Sequence, residues 1–173
     1  MKSSIIILSI LYISIVVLAN FTANVVITTQ YITFALGTVF FGFIFTLRDL
    51  LHARAGRKTT LTVIVVTALV NATAVLFNMF DIRILFASII AFFISEIIDT
   101  EVYQKLLAKT WNYRVLVSNL ISIPVDTVIF TLLAFFGIWD ANTLIVVIAW
   151  DIVIKYITAA LLIVTNKQGA SHG

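Results

Sequence analysis

Long apolar runs, separated by short polar stretches, set the pattern of the chain. They cover roughly residues 4–20, 31–47, 60–80, 84–99, 113–136 and 142–164. A charged stretch over 48–58 and a tight Asp81-Ile82-Arg83 turn supply the clearest punctuation. Runs this long and continuous predict membrane-spanning helices of about 20 residues, because a barrel strand alternates polar and apolar positions over about 10 residues. The expected fold class is all-α: one domain over 1–173, a polytopic bundle of six transmembrane helices.

Composition points the same way. Of the 173 residues, 62% are apolar and 11% are charged, against about 45–50% and about 25% in a soluble domain. A water-facing surface cannot be assembled from so few charges. Six spans leave short connections only, so function is expected inside the bilayer.

Charge placement gives an orientation. Nine basic residues, Lys2, Arg48, Arg54, Arg57, Lys58, Lys105, Lys109, Arg114 and Lys167, fall on one side of the expected bundle. Arg83 alone falls on the other, and Lys155 lies within a span. The positive-inside rule then puts both termini in the cytoplasm. The net charge of +3 reads as orientation and not as nucleic-acid binding. A cleaved signal peptide ending near Val17-Leu18-Ala19 is the competing reading of the first run. A retained span is preferred because that run is long for a signal core.

Polar side chains within the spans are costly in hydrocarbon and usually face a bundle interior or cavity. In the third run Thr67, Asn71 and Asn78 share one helical face, either as a substrate-facing stripe or as glue between packed helices. In the fourth, Glu96 and Asp99 lie three apart, and neighbouring carboxylates in a low dielectric are a candidate proton site. Asn119, Ser122 and Asp126 surround Pro124 in the fifth, where the helix is expected to kink or break as helices lining membrane substrate sites often do. Asp151 and Lys155 lie one turn apart deep in the sixth, the favourable order for a helical ion pair, although either can bridge to another span. Arg48 and Asp49 adjoin the second run, either as a gate paired with the acidic end of the fourth span or as a simple flank.

These constellations resemble a known family. The run Arg48-Asp49-Leu50 with Gly56, the stretch from Ser95-Glu96 through Asp99 to Tyr103, the segment Ser118-Asn119 through Pro124 to Asp126-Thr127, and the pair Asp151 with Lys155 look like the queuosine precursor transporter family, also called the vitamin uptake transporter family. The resemblance covers nearly the whole chain from the second run onward. It implies a multi-pass importer of the inner, cytoplasmic membrane that carries 7-deazaguanine bases such as 7-cyano- and 7-aminomethyl-7-deazaguanine, salvaged for queuosine in tRNA.

The residues fit a purine-like substrate. An ionised carboxylate accepts from the ring N1–H and the adjacent exocyclic amine of a guanine edge together, and Asp126, Asp99 or Asp151 is the candidate. Trp150, beside Asp151, and Phe92, Phe93 and Phe130 offer flat surfaces for a heterocycle. The chain lacks a P-loop and cysteine, and no cofactor or metal is expected. Alternating access around a midplane site is the expected mechanism. Proton coupling through Glu96, Asp99 or the Asp151 and Lys155 pair, and facilitated diffusion, both stay open. The expected partners are the small base and the lipid bilayer, with no nucleic acid, and a homodimer is left open.

The alternative is a substrate-binding membrane subunit of an energy-coupling-factor vitamin importer. Its external partner would pack on small-residue motifs such as Ala19-x-x-x-Ala23 and Ala87-x-x-x-Ala91. An intramembrane hydrolase is disfavoured, with two histidines and no H-E-x-x-H or G-x-S-x-G motif. A non-transporting scaffold leaves the charges within the spans without purpose. No enzymatic activity is expected.

Overall fold

The computed structural model describes residues 2–23, 25–29, 32–76 and 82–165. Five helices carry the fold: α1 (Lys2–Phe21), α2 (Leu36–Leu76), α3 (Ile82–Lys105), α4 (Trp111–Phe135) and α5 (Ala141–Thr165). Between α1 and α2, β1 (Val26–Thr28) pairs antiparallel with β2 (Thr33–Ala35) in the register Val26 to Ala35. Helices α1, α2, α4 and α5 are long and apolar enough to cross a membrane. Arg83, Glu96, Asp99 and Glu101 set α3 apart by charge.

Two boundaries differ from those the apolar pattern predicts. The second run is not helical throughout, because residues 33–35 are a strand and α2 starts at Leu36. Valine, isoleucine and threonine around the turn restrict side-chain torsions and favour extended backbone. Nor is the stretch 48–58 a loop. Helix α2 carries the second and third runs together over 41 residues, interrupted at Gly56, whose φ of 76° and ψ of 169° are not helical. That left-handed φ suits glycine, which has no side chain to clash there. The interruption separates two helical halves, 36–55 and 57–76, each about 30 Å long at 1.5 Å per residue.

Pro124 does not break its helix, since α4 is continuous from Trp111 to Phe135. Proline removes the amide that would bond the carbonyl four residues earlier, that of Leu120. A replacement comes from α5, whose Tyr156 hydroxyl donates to Leu120 O at 3.0 Å. The missing backbone bond thus becomes a link between helices.

Packing is inside-out relative to a soluble protein. Ile6, Ile10, Leu69, Phe86, Leu116 and Ile145 are exposed, while Arg48, Asp49, Glu96, Asp99, Asp126 and Lys155 are buried. A lipid solvent rewards this arrangement, because apolar side chains lose nothing by facing acyl chains and polar groups must find partners within the protein. Apolar packing nonetheless contributes a cluster where Tyr12, Val16, Ile44, Leu47, Ile64 and Phe92 join α1, α2 and α3.

Small residues let the helices approach closely. A side chain at Gly37 would strike the Ala19 carbonyl, and one at Gly42 would strike Thr158 and the carbonyl of Lys155. Ala19 and Ala23 therefore pack α1 onto α2, and Ala87 and Ala91 are likewise buried inside the chain. The small-residue faces that an external partner was expected to use are occupied within the protein.

Candidate functional site

Two groups of charged residues meet in the interior. The first centres on Arg48 of α2, whose side chain is wholly buried. Its Nη1 lies 3.1 Å from Asp49 Oδ1 and its Nε 3.4 Å from Glu96 Oε2, while Nη2 contacts Asp99 Oδ2. The planar guanidinium presents donors in several fixed directions, so one arginine faces three carboxylates at set angles, whereas a lysine would offer a single point charge. Glu96 and Asp99 are neighbours on α3, as their spacing predicts, and they are held by the arginine between them. On the same side of the bundle, His52 Nε2 lies 3.0 Å from Gln104 Oε1, and Arg57 pairs with Glu101 at the surface.

The second group centres on Lys155 of α5. Its Nζ donates to Asp126 Oδ2 at 2.7 Å and to Thr127 Oγ1 at 2.9 Å, both on α4. Asp151, one turn earlier, accepts instead from Thr38 of α2 at 2.9 Å, and the backbone at Ala35 of β2 donates to it as well. The one-turn pairing of Asp151 with Lys155 gives way to a bridge between helices. Crossing to α4 gives the ammonium a carboxylate and a hydroxyl together, and Asp151 stays outside the ion pairs among the described residues. Ser95 of α3 donates to the other oxygen of Asp126 at 3.2 Å, so the residue next to Glu96 touches this second group.

Asp126, Asp151 and Lys155 line one narrow cavity, with Phe41, Phe130 and Ser88 around them. Lys155 Nζ lies 5.2 Å from the centre of the Phe41 ring, within range of a cation–π attraction. The cavity thus brings together a cation, two carboxylates and two aromatic rings.

The remaining candidates are distributed around it. Asn71 accepts from Asn20 at 2.7 Å, and Ser88 donates to the same Asn20, joining α1, α2 and α3. Asn119 and Ser122 are buried on α4 with side-chain polar atoms that lack a partner among the described residues. Trp150 is half-buried and is not among the residues lining this cavity. Of the other aromatic candidates, Phe92 packs in the α1–α2–α3 core and Phe93 is exposed. Asn78 lies outside the described residues.

Sequence reasoning passed over Thr38 and Asn20, and it gave Thr127 no role beyond its place in the family motif. A signal for Thr38 was present: Thr38, Gly42 and Thr46 recur every four residues in a run of bulky apolar side chains. That spacing marks a narrow polar stripe on one face of a helix. In the structure it packs along α5, where Thr38 meets Asp151, Gly42 meets Thr158 and Thr46 donates to Ala159 O at 3.2 Å.

Comparison with known proteins gives one match. The family model described as "Putative vitamin uptake transporter" matches residues 75–166, which include all of α3, α4 and the Asp151 and Lys155 region of α5. No curated protein and no solved structure matches the chain. More than half of the sequence is matched, and the buried charges on three matched helices lie within it; the chain is a multi-pass membrane protein that belongs to the vitamin uptake transporter family.

Proposed function

We propose that the protein imports a purine-like base, a queuosine precursor such as 7-cyano- or 7-aminomethyl-7-deazaguanine, across the cytoplasmic membrane. The observation that carries this reading is the convergence of Asp126, Asp151 and Lys155 on one cavity between aromatic rings. Asp126 is engaged by Lys155, so Asp151 is the carboxylate suited to accept the paired N1–H and amine donors of a guanine edge. Lys155 can then donate to the ring carbonyl, and Phe41 or Phe130 can cover a face of the heterocycle.

Six crossings are part of the proposal: the halves of α2 on either side of Gly56 are each long enough to span the hydrocarbon, and α3 pairs Glu96 and Asp99 within the protein. An even number of crossings keeps both termini on the lysine- and arginine-rich side, the cytoplasmic one. Alternating access would move the first three crossings against the last three around the cavity.

The test is uptake of labelled 7-deazaguanine precursors by cells lacking their own importer. Wild type is expected to accumulate label, and Asp126→Asn and Asp151→Asn to lose most of it at equal membrane abundance. Unchanged uptake in both variants would remove the site assignment and spare the substrate. Absence of uptake by correctly inserted wild type would remove the substrate assignment.

A further inference from the structure

A second narrow cavity adjoins the first at the hairpin end of the bundle. The two share Ala23, Ala35, Phe130 and Asp151. Beyond that shared neck the lining changes. Lys155 and Asp126 are absent from it, and Phe34 of β2, Phe135 at the end of α4 and Trp139 of the α4–α5 turn take their place. Phe135 and Trp139 are stacked, with centroids 3.8 Å apart and planes within 6°, and Phe130 meets Phe135 edge to face at 6.1 Å. Thr131 also lines this cavity, and its buried hydroxyl has no hydrogen-bond partner among the described residues.

We infer that this cavity is an outer subsite, which receives a flat, uncharged heterocyclic base before it reaches the lysine. This rests on the reading of the inner cavity as a base site. Three features support it. Aromatic planes bind heterocycle faces with little regard to their edge pattern. The unpartnered Thr131 hydroxyl gains a hydrogen bond only when a polar ligand arrives, and a buried hydroxyl without one is costly. Asp151 faces both cavities, so one carboxylate can hold the donor edge of the base while its ring passes from the outer aromatic planes to Phe130 and the inner site. The alanines at positions 23 and 35 keep the neck narrow in side-chain bulk.

The experiment uses the full chain in lipid nanodiscs with Trp111→Phe and Trp150→Phe, leaving Trp139 as the fluorophore, and titrates it with 7-cyano-7-deazaguanine. Saturable quenching of Trp139 is expected. It should persist in Asp126→Asn, which disables the inner site, and weaken at least about tenfold in apparent affinity in Thr131→Val, a change that preserves side-chain shape. In the uptake assay, Phe34→Ala and Thr131→Val are expected to raise KM with the maximal rate kept. Quenching that vanishes with Asp126→Asn, or is indifferent to Thr131→Val, overturns the outer subsite. Wild-type uptake without Trp139 quenching also overturns it and leaves the inner site standing. Absence of both uptake and quenching overturns the two together.

Discussion

The arginine group and the lysine group are both buried ion pairs between helices, yet they are built for different tasks. Arg48 is surrounded: three carboxylates face its three nitrogens, and neither cavity lies against it. Lys155 is anchored on one side only, by Asp126 and Thr127, and its other side faces a cavity that Asp151 also lines. The contrast is geometric: the partners of one buried charge enclose it, whereas space is left beside the other, and the proposed function assigns the ligand to the second. Ser95 puts the two within reach of each other, since it precedes Glu96 and donates to Asp126.

The largest expected effect comes from breaking the enclosed group. Arg48→Met leaves Asp49, Glu96 and Asp99 facing one another without a cation, and loss of one partner from a buried ion pair costs about 3–5 kcal/mol. Folded protein recovered in detergent and its melting temperature should both fall sharply. Arg48→Lys should recover only part of the loss, because an ammonium is a point charge without the fork. A variant that folds normally with methionine at 48 would show that the arginine is not the structural centre.

Lys155→Met sharpens the contrast from the other side. It leaves Asp126 with Ser95 as its partner beside a cavity, so stability should fall by less than in the Arg48 variant. Uptake should fall about 10- to 100-fold, the equivalent of one charge-assisted hydrogen bond of about 1.5–3 kcal/mol. Combining it with Asp126→Asn should recover melting temperature without recovering transport. Recovery of both would make the lysine group structural as well.

The smallest effect lies outside both groups, at the start of α5, the helix that carries Lys155. Asp140 precedes α5 and accepts from the backbone amides of Asn142 and Thr143, each at 3.0 Å, and from the Thr143 hydroxyl at 2.6 Å. It is a helix cap on the first turn. The Thr143 side-chain hydrogen bond, helped by the backbone ones, holds its carboxyl below the usual 3.8. A depressed folded value means that the stabilisation is present above about pH 4 and disappears as pH falls through the folded value. The melting-temperature gap between wild type and Asp140→Ala should therefore be open at neutral pH and close below about pH 4. A gap that does not depend on pH would show that the charge of the carboxylate does not contribute to the cap.

How much of this was legible in the residues follows from what each signal measures. Apolar runs report the solvent around the bundle, and they located α1, α4 and α5 to within a few residues but stopped short of the end of α3, which continues past Asp99 to Lys105. They could not show that helix runs on through Arg48 and Asp49 and is interrupted only at Gly56, because helix continuity through a charged stretch depends on burial of Arg48 and Asp49 against α3. Extended backbone at 33–35 was hidden inside a run that also reads as helix. Proline at 124 gave a correct reason for a lost hydrogen bond, but no break follows it, and the tyrosine that contacts the freed carbonyl sits 36 residues away from it.

For the candidate site, the chain by itself determined which side chains cannot face lipid: Arg48, Asp49, Glu96, Asp99, Asp126, Asp151 and Lys155 must all be sheltered, whatever the fold. Tertiary structure decided the pairing. A one-turn spacing brings Asp151 within reach of Lys155, but helix α4 presents Asp126 and Thr127 together, and α2 presents Thr38 to Asp151. The choice among these partners depends on how closely Gly42 lets α2 approach α5. Local spacing limits which contacts are available along one helix, whereas the distance between two helix axes sets which of them form.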